Sequence, residues 1–400
     1  MDESNLKLQI ALLFVFMFLL VIAVAVRLYF YNANESARSQ ILSSLNTTEG
    51  LILMHPYIKD GLQTFEVNEI IVKTGIYPKY KMGDYVEISN LKVTQYGFSY
   101  HPKITKDDKK SNKLLLFISE NRSKLIESVQ SSLPEPYAGL LLGTIIGYKE
   151  DLPQNLIEKL QRTSTIHIIV VSGYNVSLVL GFLAIILYKL KGAQFLIAIL
   201  VFLVIFILLI GPDPPVIRAS VMGLIATYAY IRGNSTNSLY LLFLSICFML
   251  IISPGYLSDV GFQLSALATF SVILAMYFVH YLPKMTSQLV VTIMVSLMIS
   301  PIIGYYFGVI SIVGILINIL VLWVIPLITL LGIGFMLMPI LPLKIGIVAL
   351  MDYFFSILDI GISLGGVWDY KPQPIHLVIY YFCLVLLLRY LINGLKHEVN

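Results

Sequence analysis

Hydrophobic residues in this chain come in long runs separated by short polar breaks. The first run covers residues 6–26, and nine more follow between residues 165 and 392. A helical span of a bilayer needs roughly 20 apolar residues, and these runs approach that length. The pattern predicts a polytopic α-helical membrane protein with about ten transmembrane helices. The predicted core spans are 165–188, 194–210, 214–231, 238–253, 260–281, 287–303, 312–338, 345–366 and 374–392.

Residues 32–112 interrupt this pattern with a polar segment of β character. They hold ten Lys or Arg and nine Asp or Glu, which is typical of a soluble domain. Stretches such as FEVNEIIVKTG and DYVEISNLKVTQYGF are rich in β-branched and aromatic residues and are separated by Gly, Pro, Asn and Asp turns. Several short strands in a segment of this size predict a small OB-like β-barrel domain.

Residues 113–163 join the β domain to the core spans. Residues 113–131 alternate apolar and polar at helical spacing, and a pair of short helices divided at Gly147 and Asp151 follows. We expect amphipathic helices that lie at the membrane interface or against the bundle. The predicted organisation is an N-terminal transmembrane anchor at 1–31, the β domain at 32–112, interfacial helices at 113–163, a transmembrane domain at 164–393 and a tail at 394–400.

Composition supports a membrane protein, and the distribution of charge predicts its orientation in the membrane. Hydrophobic residues make up 58% of the chain and charged residues 12%, and the mean hydropathy is +0.84, which excludes an ordinary soluble protein. Ten spans place both termini on the same side of the membrane. If that side is the cytoplasm, seven Lys or Arg fall in cytoplasmic segments and only Lys371 falls opposite, so the positive-inside rule predicts an extracytoplasmic β domain. The seven are Lys189, Lys191, Arg232, Lys284, Lys344, Arg389 and Lys396.

Polar residues interrupt three of the predicted spans, in TSTIHIIVVSGYNVSLVL, GPDPPVIRAS and SPGYLSDVGFQLSA. Lipid offers no hydrogen-bond partner, so such residues normally face the bundle interior or a water-filled cavity and often mark a transport path. Under the predicted topology all three clusters lie toward one face of the membrane. We therefore predict that they line one funnel. The predicted pathway residues are His167, Ser172, Gly173, Asn175, Arg218, Asp259, Gln263 and Ser265.

Local chemistry predicts how these segments are built. The Ser172-Gly173 pair favours a helix interruption or a close helix approach. Asp213 can cap the third core span ahead of Pro214, and Ser258 can cap the fifth in the same way. An arginine in the bilayer costs about 2.5 to 3.5 kcal/mol even on a lenient scale, so Arg218 is expected to face the protein interior.

Structural roles remain open for the same residues. Arg218 can instead pair with Asp213 or Asp259 or extend to the interface. Residues such as Gln263 and Ser265 more often form hydrogen bonds that hold helices together than contacts with a substrate. A His167–Ser172 catalytic dyad is disfavoured, because five residues on one helix point the two side chains about 140° apart.

The β domain carries aromatic and basic residues that suit single-stranded nucleic acid. Bases stack on aromatic rings while lysines contact phosphates. The local net charge of only +1 argues for the alternative that these residues fill strands and turns, since phosphate binding is normally driven by charge. The main candidate residues are Tyr77, Lys79, Tyr80 and Lys81, and further aromatic residues that could stack are Tyr85, Tyr96, Phe98 and Tyr100.

Three ordered motifs, IHIIVVSGYNVSL, PPVIRASVMG and SPGYLSDVGFQLSALA, resemble the ComEC/Rec2 competence family of inner-membrane channels. The resemblance implies import of single-stranded DNA in natural transformation, with Arg218 contacting phosphate. It also implies membrane lipid and separate DNA-receptor, nuclease and cytoplasmic motor proteins as partners. The family usually shows a second histidine after the Ser-Gly pair, where this chain has Asn175.

Many members of that family also carry a C-terminal metallo-β-lactamase-like domain. Here the six histidines are scattered and the two cysteines lie in apolar spans, so we expect a form that lacks this domain, holds no metal or other cofactor and is not an enzyme. Two alternatives to a DNA channel remain. One is a transporter or flippase for a smaller solute, with the interrupted helices forming a midplane site. The other is a scaffold whose polar residues only hold helices together.

Overall fold

The computed structural model describes residues 22–29, 31, 42, 44–59, 61–94, 97–148, 150, 152–169, 171–279 and 284–399. Most of the predicted anchor at 1–31 therefore lies outside the described residues. Contacts between residues divide the chain into two units. The first unit comprises 1–124, 202–212 and 243–259, and the second comprises 125–201, 213–242 and 260–400.

The first unit contains a small β region built from seven short strands. Val86 and Ile88 point inward while Glu87 between them is exposed, which is the period-two alternation of a strand with one buried face. A two-residue turn at Asn68-Glu69, both with positive φ, joins the third and fourth strands in a tight hairpin. The strands are β1 Thr47–Leu51, β2 Tyr57–Lys59, β3 Leu62–Val67, β4 Ile70–Thr74, β5 Tyr85–Ser89, β6 Phe98–Tyr100 and β7 Lys103–Lys106.

These strands form two separate sheets over one hydrophobic core. One sheet has the order β1-β5-β7 and the other β2-β3-β4-β6, and β4 and β6 pair in parallel. The sheets are not closed, so the structure shows a small β region but does not confirm an OB-like barrel. The core residues are Ile52, Phe65, Val67, Ile70, Val72, Tyr80, Val86, Ile88 and Leu91.

Three helices cover residues 113–163, as the sequence predicts: α1 Lys113–Ser132, α2 Tyr137–Ile146 and α3 Gln154–Arg162. Gly147 ends α2 in the left-handed conformation, at φ 69°. Of the two predicted positions, α2 takes the one against the helical bundle, because all residues from Ala138 to Ile146 are buried. A side chain added at Gly332 would come within 2.5 Å of Leu141 and Ile145, so this glycine is what lets α2 enter the helical core.

Each predicted core span coincides with a helix or a pair of adjacent helices. Four helical segments are long and apolar enough to cross a membrane, and a fifth is counted when α10 and α11 form one span bent by 45°. The chain is thus a mostly helical membrane protein, whereas ten spans are not confirmed. The helices are α4 Gly173–Ile186, α5 Ala193–Ile210, α6 Pro214–Ile231, α7 Ser238–Ile252, α8 Val260–Val279, α9 Lys284–Phe307, α10 Val313–Val321, α11 Val324–Leu337, α12 Leu341–Leu364 and α13 Pro374–Val399.

Short irregular elements separate these helices. A 3-10 turn at Ile166–Ile168 precedes α4, so the first core span is not one continuous helix. A second 3-10 turn, Pro254–Ser258, precedes α8. Strand β8 Val309–Ser311 precedes α10 in the chain and pairs antiparallel with β9 Val367–Asp369, which follows α12.

Candidate functional site

The candidate site is centred on Arg218, one turn inside α6. Asp213 occupies the N-cap position, and proline in the first turn suits a helix start because it lacks a donor that would be orphaned there. The Asp213 carboxylate makes no capping hydrogen bond, although the sequence suggested one. Arg218 itself is only 5% exposed.

The guanidinium of Arg218 is held by two neutral groups. Its Nε donates to Ser265 Oγ at 2.8 Å, and its Nη1 donates to Met222 Sδ at 3.2 Å. A guanidinium has five N–H donors, so these contacts leave donor capacity. No carboxylate of the second unit pairs with this cation among the described residues, contrary to the alternative in which Arg218 pairs with Asp213.

The start of α4 lies directly against this cation. Ser172 occupies the N-cap position in an extended conformation, and its Oγ accepts from Asn175 N at 3.4 Å. A Cβ placed on Gly173 would lie 3.0 Å from Arg218 Nη2 and 3.3 Å from Ala219 Cβ. The predicted helix interruption and close helix approach at Ser172-Gly173 are both confirmed. The arrangement brings a helix N-terminus, with its partial positive charge, next to a buried cation.

Asn175 has a structural contact on the same helix. Its side chain is 4% exposed, and its Nδ2 donates to the Thr144 carbonyl at 2.8 Å. That carbonyl belongs to the last turn of α2, where carbonyls have no partner within the helix. Asn175 therefore joins the end of α2 to the start of α4, and its own Oδ1 has no hydrogen-bond partner among the described residues.

Two of the remaining predicted pathway residues, Gln263 and His167, make no contact with Arg218 among the described residues. Gln263 Oε1 accepts from Tyr306 Oη at 3.1 Å, which links α8 to α9, in agreement with the structural alternative. His167 lies on the 3-10 turn before α4 and is not among the contacts of Arg218. Asp259 belongs to the first unit. The prediction that Ser258 caps α8 is wrong, because Ser258 ends the preceding 3-10 turn and Asp259 separates it from the helix.

In the β region the structure divides the four candidate residues. Tyr77 is 80% exposed and Lys79 is exposed, so both are accessible to a ligand. Tyr80 is wrong as a stacking platform, because its ring lies in the core with its centroid 5.2 Å from that of Phe65. Lys81 Nζ forms an ion pair with Glu120 Oε1 at 3.5 Å.

Sequence reasoning named Phe98 and Tyr100 as possible stacking residues but missed Lys73 beside them. Tyr96, which was named with them, lies outside the described residues. Lys73 Nζ lies 4.9 Å from the ring centroid of Phe98 and 5.2 Å from that of Tyr100. The parallel pairing of β4 with β6 places Lys73 opposite Tyr100. The aromatic residues are visible in the sequence, but their approach to Lys73 depends on a strand pairing that no local pattern specifies.

Together these features define a helical membrane protein with interrupted spans packed around a buried arginine. Residues 144–393, more than half of the chain, match the competence protein family, and the chain belongs to this family. ComE operon protein 3 of Bacillus subtilis (strain 168) is 26% identical over 202 residues, a match that covers 50% of this chain and 26% of that protein. The chain thus aligns with about a quarter of that relative's length. No solved structure matches the chain significantly.

Proposed function

We propose that this protein is an inner-membrane channel that imports single-stranded DNA during natural transformation, and that Arg218 contacts the phosphate backbone on the way. Membership of the competence protein family supports a role in DNA uptake. The observation that carries the more specific proposal is the buried Arg218 guanidinium, which meets the start of α4 and no carboxylate of the second unit among the described residues.

The electrostatics of this site suit a passing anion. The N-terminus of α4 is equivalent to roughly half a positive charge, and the guanidinium beside it adds a full one. Backbone N–H groups at a helix N-terminus and a planar guanidinium fork both match phosphate oxygens. A phosphate would neutralise charges that the protein leaves uncompensated, and each would be released as the next phosphate of the strand arrives.

The same proposal gives roles to the topology of the chain, to the β region and to separate partner proteins. Ten spans would place both termini in the cytoplasm and the β region outside, where an OB-like surface presents the strand to the membrane. Tyr77 and Lys79, together with Lys73, Phe98 and Tyr100, would contact nucleotides by stacking and by charge. The channel itself performs no catalysis, so strand capture, degradation and pulling fall to separate DNA-receptor, nuclease and motor proteins.

Uptake of labelled DNA by cells that carry variants of Arg218 tests the proposal. Arg218→Ala is expected to lower uptake by more than about tenfold, because it removes the charge that attracts phosphate. Arg218→Lys keeps the charge but loses the planar fork, so partial uptake is expected. Arg232→Ala, a cation beside the Tyr228 ring at the end of the same helix, is the matched control and should import DNA normally. Normal uptake by a correctly inserted Arg218→Ala variant would contradict the proposal.

A transporter or flippase for a smaller solute is the second candidate. The bend between α10 and α11 and the interruption at Ser172 favour it, since broken helices commonly form solute sites near the midplane. The two functions differ in their kinetics. A DNA channel should take up strands regardless of their length, whereas a transporter should saturate with one small solute and be indifferent to DNA.

A further inference from the structure

One face of α12 carries polar residues along a helix that is long enough to cross the membrane. Asp352, Ser356, Asp359 and Ser363 recur at i, i+4, i+7 and i+11, so they lie above one another on a single face. All four side chains are exposed. This helix is also one of the four segments that are long and apolar enough to span a bilayer.

The depth of Asp352 makes this exposure informative. At 1.5 Å per residue, Asp352 lies about 16 Å from the start of α12 and about 18 Å from its end, close to the middle of the span. A carboxylate at that depth is costly against lipid and is normally found facing protein or water. Lipid therefore does not cover this part of the helix.

Two short helices contact the polar face without covering it. Tyr137 Oη of α2 donates to Asp352 Oδ1 at 2.6 Å, and Lys159 Nζ of α3 donates to Asp359 Oδ1 at 2.6 Å. The Lys159 and Asp359 side chains remain 42% and 59% exposed. Two carboxylates and one ammonium group thus remain exposed along this face.

The other end of the same face is apolar. Leu341 and Ile345 share the helical position of Asp352 and Ser356 and are 68% and 60% exposed. The face changes from apolar to polar at Asp352, so whatever solvates the carboxylates enters from the C-terminal end of α12 and stops near the middle of the span.

We propose that a water-filled cleft enters the second unit from the C-terminal end of α12 and ends near Asp352. The Asp352–Ser363 face forms one wall, and Tyr137 and Lys159 line the opposite side. Its net negative charge admits water and cations and repels phosphate, so the cleft is not the route of a DNA strand. Under the charge-based topology it opens to the extracytoplasmic side. This inference is independent of the cargo and of the Arg218 site.

Cysteine labelling of the full chain in cells tests the cleft. In a background with Cys247→Ala and Cys383→Ala, a membrane-impermeant thiol reagent added outside is expected to modify Ser356→Cys and Ser363→Cys. Ile345→Cys, on the same face below Asp352, and Ile360→Cys, on the adjacent exposed face, are matched controls and should stay unmodified. Gln373→Cys, in the loop before α13, gives the rate for an open surface.

The sign of the charge gives a second readout. A cleft lined by one sign of charge raises the local concentration of counter-ions by about tenfold or more. At Ser356→Cys, the labelling rate of a cationic reagent divided by that of an anionic reagent should be about tenfold larger than the same ratio at Gln373→Cys. Combining Asp352→Asn with Asp359→Asn should remove this difference between the two positions. The proposal is overturned if Ser356→Cys stays unmodified or if the rate ratios at Ser356→Cys and Gln373→Cys are equal. A disulfide between two copies through Ser356→Cys would overturn it as well, because a second copy would then cover the face.

Discussion

The second unit holds charge in two opposite ways. At the start of α6 a single cation, Arg218, is 5% exposed and is held by a serine hydroxyl and a thioether. On α12 the carboxylates of Asp352 and Asp359 are exposed and are contacted by Tyr137 and Lys159. A buried charge without a counter-charge is stabilised when an ion of opposite charge binds beside it. Exposed and paired charges are already stabilised by water and by their partners. The contrast predicts that anions are handled at Arg218 and not along α12.

Gly173→Leu should produce the largest effect. A Cβ at this position would already lie 3.0 Å from Arg218 Nη2 and 3.3 Å from Ala219 Cβ, so a leucine must push α4 away from α6. We expect uptake to be abolished and stability to fall by about 1–3 kcal/mol, the usual cost of overpacking. Gly181→Leu on the same helix is the control, because nothing lies within 4 Å of its added Cβ. Equal uptake by the two variants, measured at equal membrane levels, would remove the close approach from the mechanism.

Changing the charge at Arg218 and at Asp352 compares the two regions directly. Arg218→Glu should abolish uptake, because it replaces the phosphate-binding cation with a group that repels phosphate. Asp352→Asn should change uptake by less than about twofold, since an asparagine keeps a hydrogen-bond acceptor for Tyr137 and the cleft carries no strand. Labelled DNA uptake measures both. A severe defect in Asp352→Asn would place the strand, or its driving force, at α12.

Ser265→Ala should have a moderate effect. It removes the acceptor of Arg218 Nε, and a hydrogen bond to a charged group is worth about 1.5–3 kcal/mol. The guanidinium keeps its charge but loses its orientation, so we expect uptake to fall by about three- to tenfold with normal insertion. Ser271→Ala on the same helix is matched, because that hydroxyl only donates to the Leu267 carbonyl. If both serines prove dispensable for uptake, the orientation of Arg218 is unimportant.

The first unit contains a partly buried basic residue, His55, that avoids a buried charge by losing its proton. His55 Nε2 lies 2.9 Å from the Leu208 carbonyl in the last turn of α5. Burial, assisted by the positive charge of Arg122, lowers the pKa of His55 from 6.5 to about 4. An arginine keeps its proton near neutral pH, so the proposed function assigns Arg218 a passing anion instead.

This shift predicts the smallest effect, a pH-dependent stability. The unfolded chain binds a proton at His55 below pH 6.5 and the folded chain only below about pH 4. Stability from this group is therefore complete above pH 6.5 and declines as the pH falls toward 4, by up to roughly 3 kcal/mol. Thermal unfolding of the full protein in detergent between pH 7.5 and 4.5 measures it, and His55→Gln should flatten the profile. An unchanged slope in that variant would assign the acid sensitivity elsewhere.

Sequence patterns predicted where the helices begin and end better than they predicted which helices are buried. The apolar run at 194–210 and the Asp-Pro start of 214–231 match α5 and α6 within one residue, because the length of a run and a proline at the first helical position are local features. The burial of α2 was not predictable, since it depends on the absence of a side chain at Gly332, far along the chain.

The candidate site shows the same limit. Serine followed by glycine revealed the start of α4, and an arginine in an apolar run pointed to the protein interior. The partners of Arg218 and the buried position of the Tyr80 ring depend on tertiary contacts. Asp352 and Asp359 were visible at helical spacing but were missed, because the surrounding run is apolar on average and the polar residues were not counted by face.

The buried position of α2 has a consequence for synthesis of the protein. Its cover at Gly332 lies roughly 190 residues downstream of Leu141, a stretch that takes about 10 to 40 s to translate at usual rates. During that interval nine residues, Ala138–Ile146, have no native packing surface from α11. Nascent chains released before α11 is made should therefore be recognised by membrane quality control, whereas chains released after it should survive.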